Sequence, residues 1–159
     1  MQRPNSPVIV LVDDEDMVVT SIKSFLTLET DYEVKGFISP AEAIDYIRTN
    51  RVDLVVSDYL MPDVDGITFL ARVKELQPEA TRILLTGYAD KENAIKAIND
   101  VGLYQYIEKP WENEDLKLII RNGLEKRILL KRLEDKIAEV NRTHEELMSL
   151  QRDILKAFA

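Results

Sequence analysis

Strand-type and helix-type segments alternate along most of this chain, and that alternation limits the possible folds more than any other feature. Val8–Val12 is a continuous apolar, β-branched run, which is typical of a strand buried on both faces. The next segment, Met17–Leu28, spaces its apolar residues as an amphipathic helix does. The same alternation repeats with further predicted strands at 32–37, 52–57, 82–85 and 104–108. Ser39 and Asp90 are expected to cap the N-termini of the helices that follow the second and fourth strands.

Short connections between the alternating segments favour a parallel sheet that is covered by helices on both faces. From about Glu112 the helical pattern does not stop, so the last helix is predicted to be much longer than the others. The predicted fold class is therefore α/β, with a five-stranded parallel sheet, flavodoxin-like and doubly wound as (βα)5. The last helix is expected to extend into a coiled coil.

Polar residues stand at the ends of the predicted strands. Asp13 and Asp14 follow the first strand, and Asp58 closely follows the third. Thr86 follows the fourth strand and Lys109 the fifth. Because ligands of open α/β sheets bind beyond the carboxyl ends of the strands, we expect these five side chains to converge at one edge.

Three carboxylates in one place require a cation. At about 5 Å and an effective dielectric constant of about 20, each pair repels by roughly 3 kcal/mol. An all-oxygen set of ligands suits Mg²⁺, and a carboxylate beside Mg²⁺ can act as a nucleophile toward a phosphoryl group. Lys109 and Thr86 have the chemistry to neutralise the transferred oxygens and to donate a hydrogen bond to them.

The composition excludes several other kinds of chemistry. The chain has no cysteine and a single histidine, His144, which excludes disulfides, cysteine-based zinc sites and histidine clusters. The net charge is −8, and Glu112–Ala159 contains ten acidic and ten basic residues, so the excess lies before that segment. This distribution disfavours direct nucleic-acid binding. The first apolar run is too short for a signal peptide or a membrane span, so a cytoplasmic location is expected.

Four segments carry a resemblance to a known family, and each lies at a predicted strand end. They read IVLVDDE at Ile9–Glu15, SDYLMPDVDG at Ser57–Gly66, LLTGYAD at Leu84–Asp90, and YIEKPW at Tyr106–Trp111. With all four in order, residues 8 to about 123 resemble the receiver domain of two-component response regulators.

The resemblance implies a phosphoryl-transfer site. Asp58 would accept a phosphoryl group from a sensor histidine kinase, and Lys109, followed by a cis Pro110, would contact that group. Thr86 and Tyr106 would form the switch pair. Asp58, Thr86 and Lys109 are therefore the candidate catalytic residues.

The resemblance also implies a metal site. Asp13 and Asp14 would hold Mg²⁺ together with Asp58, and Asp14 would be the more direct ligand of the first two. The backbone carbonyl of Leu60 would complete the protein contacts of the metal.

Each of these residues, taken alone, has a structural explanation. Asp13 and Asp14 could cap the first helix, and Asp58 could be a turn residue. Lys109-Pro110 could be a surface turn. These explanations must account for every strand end separately, whereas one phosphoryl-transfer site accounts for all of them.

A different class of function is an enzyme similar to the aspartate-nucleophile phosphatases. Those proteins also place an acidic residue after a strand, but they typically need a second acid two residues later, where this chain has Leu60. We therefore expect that this protein is not an enzyme.

The extended helix carries a heptad seam, which suggests pairing with a second copy of the chain. The seam is the line of mostly apolar residues whose spacing alternates between three and four positions. Its members are Leu130, Leu133, Ile137, Val140, His144, Leu147, Gln151, Ile154 and Phe158. His144 and Gln151 occupy a-type positions, where polar groups can fix register or can mark a weak stretch. A homodimer through this helix is expected.

The predicted organisation is a phosphoacceptor receiver domain at residues 1–123 and a helical coiled-coil extension at 124–159. Phosphorylation would change the association or orientation of the extension. The chain could instead be the N-terminal signalling part of a longer regulator whose output module lies outside it.

Overall fold

The computed structural model describes residues 6–157, apart from the side chain of Tyr88. Its five strands are β1 Val8–Val12, β2 Glu33–Phe37, β3 Leu54–Asp58, β4 Thr81–Thr86 and β5 Gln105–Glu108. All neighbouring strands are parallel, in the order β2-β1-β3-β4-β5. The predicted fold class is confirmed.

Helices follow each strand in turn. They are α1 Asp16–Glu29, α2 Pro40–Thr49, α3 Gly66–Leu76, α4 Lys91–Asp100 and α5 Asn113–Ala157. Most bounds lie within one or two residues of the sequence prediction. The difference that matters is in β3, because Asp58 is the last residue of the strand and is not in the loop.

Alternating residues of the strands build a separate core on each face of the sheet. Val10 and Val12 of β1 point into the core that α2, α3 and α4 cover. Ile9 and Leu11 point into the core that α1 and α5 cover. Burial on both faces explains why the strand sequences are continuously apolar.

The connection after β3 is held close to the strand by a glycine and a helix cap. A Cβ atom at Gly66 would lie 2.1 Å from the backbone carbonyl oxygen of Asp58, so no larger residue fits there. The side chain of Asp65 accepts a hydrogen bond from the backbone N–H of Thr68 at 2.7 Å and caps α3. Together they fix the loop that follows Asp58.

Two further helix caps were predicted from sequence. Ser39 caps α2, with its hydroxyl accepting from the backbone N–H of Glu42 at 3.4 Å, as expected. Asp90 occupies the predicted N-cap position of α4, but its side chain makes no capping hydrogen bond, so only its position is confirmed. A short 3₁₀ turn, Tyr88–Asp90, leads into α4 and sets the backbone of Asp90 away from extended geometry.

The first turns of α5 pack closely on the sheet. Leu116, Ile120 and Leu124 are buried. A Cβ atom at Gly123 would lie only 3.0 Å from the methyl carbon of Thr81, and the Thr81 hydroxyl donates to the Gly123 carbonyl at 3.1 Å. A glycine at this position therefore allows the helix to approach the start of β4.

An ion pair joins α5 to the start of β3. Asp53 is 3% exposed, and its carboxylate accepts hydrogen bonds from the backbone N–H of Val8 at 2.8 Å and from Arg51 at 3.1 Å. Arg127 of α5 donates to the same carboxylate, and its Nε donates to the Glu79 carbonyl at 3.0 Å. This buried carboxylate thus connects β1, β3 and α5.

Contacts divide the chain into a compact unit that ends at Arg127 and a second unit that begins at Ile128. In the second unit α5 continues as a single helix to Ala157, and its seam residues are exposed. Phe158, the last predicted seam position, lies outside the described residues. A functional boundary at residue 123 stays a prediction.

Within residues 6–157, no helix is both long enough and apolar enough to cross a membrane. The expected cytoplasmic location stays a prediction.

The Asp53 ion pair gives a stability prediction. We expect Arg127→Ala to lower the free energy of unfolding of the compact unit by about 1–3 kcal/mol, because a buried carboxylate loses a charged partner. Urea denaturation followed by the fluorescence of Trp111, the single tryptophan, measures this change. Arg132→Ala, at an exposed arginine of the same helix, is the control and should have little effect. Equal losses in the two variants would contradict the proposed importance of the pair.

Candidate functional site

Three carboxylates converge at the carboxyl edge of the sheet. Asp13 follows β1, Asp58 ends β3, and these strands are neighbours. One carboxylate oxygen from each of Asp13, Asp14 and Asp58 lies within 4.8 Å of the other two. Asp13 is 2% exposed and Asp58 6%, whereas Asp14 is exposed. The structure therefore brings together the three acidic residues that the sequence placed at strand ends.

Lys109 supplies a positive charge in the middle of this cluster. Its Nζ lies 2.7 Å from Oδ1 of Asp58 and 3.5 Å from Oδ2 of Asp13. Lys109 directly follows β5, and its backbone N–H donates to the Thr86 carbonyl at 2.8 Å. The Lys109–Pro110 peptide bond is cis. The pairing of β5 with β4 thus holds the backbone of Lys109, and the two carboxylates hold its ammonium group.

Burial and mutual repulsion disfavour negative charge on the two buried carboxyl groups. Burial raises the pKa of Asp13 to about 6, and the charges of Asp58 and Asp14 add to this effect. The backbone N–H of Glu15 and the charge of Lys109 oppose it. Burial likewise raises the pKa of Asp58, against the opposing hydrogen bond from Lys109. Lys109 alone therefore does not neutralise the cluster.

The lysine itself keeps its charge. Burial alone would lower the pKa of Lys109, but the hydrogen bond to Asp58 and the charges of Asp13 and Asp58 outweigh burial and raise it. An ammonium group that is held charged beside a carboxylate can neutralise further anionic oxygen atoms that arrive there.

The donor set of the cluster fits a magnesium ion. All three side chains offer carboxylate oxygens, which Mg²⁺ prefers, and the exposed Asp14 leaves one side of the cluster open to water. Leu60 lies two residues after Asp58 in the connection to α3, and its side chain is 62% exposed. A leucine side chain has no ligand atom, so only its backbone carbonyl can serve as the predicted ligand.

The two predicted switch residues lie on neighbouring strands. Thr86 ends β4 and is fully buried, and its hydroxyl donates to the Gly87 carbonyl at 3.2 Å. Tyr106 lies on β5 opposite Leu84, two positions before the residue that faces Thr86. The Tyr106 ring is half-buried and packs against the core beneath α2, α3 and α4.

The structural explanation of Asp13 as a helix cap is only partly met. The residue at the N-terminal cap position of α1 is Glu15, whose side chain makes no capping bond. The backbone N–H of Glu15 donates to Oδ1 of Asp13 at 2.9 Å, which shapes the turn before the helix. The other oxygen of Asp13 still faces Lys109.

Sequence reasoning did not assign a role to Gly66 or to Asp53. Gly66 makes room for the backbone carbonyl of Asp58. In the sequence, the Asp65-Gly66 pair before an apolar helical segment is a detectable signal of such a turn. Asp53 interrupts an apolar run that was predicted to be a buried strand, and a charged residue there signals a buried partner.

The family model for the response regulator receiver domain matches residues 9–121 of the chain. This range contains all the residues of the acidic cluster, together with Lys109, Thr86 and Tyr106.

Among curated proteins, the hydrogenase transcriptional regulatory protein HoxA of Bradyrhizobium diazoefficiens is 30% identical over 151 residues, which cover 93% of this chain and 31% of HoxA. Response regulator Rre1 of Synechocystis sp. is 28% identical over 92% of this chain and 64% of its own length. The chain thus spans less than a third of HoxA.

Solved structures show the same similarity. The signal receiver domain of an HD domain-containing protein from Pseudomonas fluorescens Pf-5 is 35% identical, with a TM-score of 0.73 over 77% of this chain and 98% of that one. NtrX of Brucella abortus is 27% identical, with a TM-score of 0.76 over 82% of this chain and 30% of NtrX. The fold, the strand-end residues and the family match agree, and the chain belongs to the response regulator receiver domain family.

Proposed function

We propose that Asp58 accepts a phosphoryl group from the phosphohistidine of a sensor histidine kinase in a magnesium-dependent reaction. The observation that carries this proposal is the position of Lys109, whose Nζ lies 2.7 Å from Asp58 within a cluster of three carboxylates. The arrangement combines a nucleophile, a fixed positive charge and a set of oxygen ligands at one sheet edge.

Each residue has a defined part in the transfer. One carboxylate oxygen of Asp58 forms the new P–O bond while the P–N bond to the donor histidine breaks, and the imidazole keeps the electron pair. Lys109 contacts an oxygen of the incoming group. When Mg²⁺ is bound by Asp13, Asp14, Asp58 and the Leu60 carbonyl, it neutralises charge on the transferred oxygens.

The rim of the site suits a protein as donor. Met17, near the start of α1, is 84% exposed, and Leu60 is 62% exposed. Ile38, which follows the carboxyl end of β2, is 53% exposed. Three large apolar side chains near the carboxyl edge of the sheet support docking of a folded partner more than capture of a small molecule.

The switch involves Thr86 and Tyr106. The Thr86 hydroxyl now donates to the neighbouring Gly87 carbonyl, and a phosphoryl oxygen on Asp58 offers it a charged acceptor. Movement of Thr86 toward that acceptor opens space at the end of β4, and the half-buried Tyr106 ring turns into it. The phosphoryl group thereby favours one of two arrangements of the site.

The same strands support a connection to α5. β3 carries Asp58 at its end and follows Asp53, the partner of Arg127. β4 carries Thr86 at its end and begins at Thr81, which binds the carbonyl of Gly123. A change at the carboxyl ends of these strands therefore acts on elements that also hold α5, which supports an effect on the C-terminal helix.

The C-terminal helix is the proposed output, as a homodimer interface. Its apolar seam is exposed along the second unit, at Leu130, Leu133, Ile137, Val140, Leu147 and Ile154. A lone helix with such a seam gains stability by burying it against another helix. Phosphorylation of Asp58 is proposed to change how two copies associate.

A larger output module is a further possibility that the relatives support. The chain covers 31% of the Bradyrhizobium HoxA and 24% of the Cupriavidus necator HoxA, both named as transcriptional regulatory proteins. In that case the same site and helix would form the N-terminal signalling part of a longer regulator.

Phosphorylation of Asp58 can be measured directly. Treatment with acetyl phosphate and Mg²⁺ should add one phosphoryl group to the chain, as detected by intact-protein mass spectrometry. Asp58→Asn should remove at least nine tenths of this product, because an amide is a poor nucleophile. Asp63→Asn, at an exposed aspartate in the following loop, is the matched control. Labelling of Asp58→Asn at the level of the control would sink the proposal.

The buried charge of Asp13 gives a second prediction. Without Mg²⁺ at pH 7.5, Asp13→Asn should raise the free energy of unfolding by about 1–3 kcal/mol, because a buried, repelled carboxylate is removed. Thermal melts with and without Mg²⁺ test this. Mg²⁺ should stabilise the wild type and the control Asp45→Asn, and should stabilise Asp13→Asn far less. Equal stabilisation of all three would argue against a metal site at Asp13.

The proposed output predicts a change in association. Sedimentation equilibrium before and after treatment with acetyl phosphate and Mg²⁺ should show a dimer dissociation constant that changes at least fivefold. Asp58→Asn, treated in the same way, is the control and should not change. If the wild type and Asp58→Asn respond alike, phosphorylation does not control the dimer.

A further inference from the structure

We propose that two copies of the chain pair through residues 128–157 as a parallel, in-register coiled coil. This inference rests on the proposed homodimer and assigns the direction in which its helices run. In heptad notation the a positions are Leu130, Ile137, His144 and Gln151, and the d positions are Leu133, Val140, Leu147 and Ile154.

The exposed apolar area is large enough for a stable pair. Ten large apolar side chains on and beside the seam are between 46% and 66% exposed, and these are Leu129, Leu130, Leu133, Ile137, Val140, Leu147, Met148, Leu150, Ile154 and Leu155. Burying most of this area in both copies removes on the order of 1,500 Å² from water, which is the size of a stable protein interface.

The two polar seam residues favour the parallel direction. In a parallel, in-register pair each a position faces the same position of the other copy, so His144 meets His144 and Gln151 meets Gln151. Neutral imidazoles and side-chain amides each carry both donors and acceptors, so each such layer can satisfy its own hydrogen bonds.

The antiparallel direction breaks this match. One antiparallel alignment keeps all eight seam residues in contact. In it, each a position of one helix faces a d position of the other helix. His144 would then face Val140, and Gln151 would face Leu133. Each polar side chain would then lie in an apolar layer without a hydrogen-bond partner, which is unfavourable.

The residues beside the seam independently favour a parallel orientation of the two helices. In a parallel pair the g position of one helix faces the e position of the next heptad of the other, so Leu150 meets Leu155 on both sides of the dimer. In the antiparallel alignment g faces g and e faces e. Leu150 would then face Lys136, and Met148 would face Glu134. The parallel direction thus accounts for the apolar widening of the helix near its C-terminal end.

Cysteine cross-linking of the full chain measures the direction, since the native chain contains no cysteine. Leu133→Cys and Ile154→Cys are two single variants, each at a d position. In a parallel pair the two equivalent cysteines face each other within disulfide range. In the antiparallel alignment they are about 27 Å and 36 Å apart along the axis, at 1.5 Å per residue.

Each variant is first checked for helix content and dimer formation under reducing conditions, and then oxidised at a concentration where the wild type is dimeric. Both variants should form disulfide-linked dimers at least tenfold faster than Asp135→Cys, which places its cysteine on the outer side of the helix. A dimer in which neither d-position variant cross-links faster than this control would overturn the parallel arrangement. A wild-type chain that stays monomeric at all concentrations would refute the proposed homodimer itself.

A charge-exchange experiment tests the direction without a cysteine. Leu150→Lys should raise the dimer dissociation constant at least tenfold, and addition of Leu155→Glu should reverse most of that loss. The rescue arises because the introduced ammonium group of one copy faces the introduced carboxylate of the other only in the parallel pair. In the antiparallel alignment the introduced ammonium group faces Lys136, so absence of rescue in a chain that still dimerises would contradict the proposal.

Discussion

The central constraint in this protein is the concentration of negative charge at one sheet edge. Asp13 and Asp58 are almost fully buried there, and Asp14 lies beside them. Lys109 offsets part of the repulsion through contacts with both buried carboxylates, but the pKa of each is still raised by burial. A site with unbalanced negative charge attracts a divalent cation, and the cation in turn lets a phosphoryl group approach.

The parallel sheet makes this concentration of charge possible and also provides a way to use it. Strand pairing holds the site residues at the carboxyl ends of β1, β3, β4 and β5. At the opposite ends, Asp53 and Thr81 hold α5 through Arg127 and Gly123. β3 and β4 therefore each contact the site at one end and α5 at the other. Fold, site and proposed output depend on the same two strands.

Most of the fold and the acidic cluster could be predicted from the sequence, because both depend on local patterns. Continuous apolar runs identified the strands, and the residues after them identified the site. The Asp53–Arg127 pair could not be predicted in this way, because its members lie 74 positions apart and only the fold brings them together. The close approach of Gly66 to the Asp58 carbonyl also depends on tertiary structure. Asp90 takes the predicted N-cap position without a capping hydrogen bond, because a 3₁₀ turn that the sequence does not reveal sets its backbone.

The most direct test of Asp58 as the phosphoryl acceptor is to locate the phosphoryl group on the chain. Sodium borohydride reduces an aspartyl phosphate to homoserine, so peptide mapping after acetyl phosphate, Mg²⁺ and reduction identifies the acceptor residue. Phosphorylation of Asp58 predicts homoserine at position 58 and unmodified aspartate at positions 13 and 14. Homoserine at another position, with residue 58 unmodified, would contradict it.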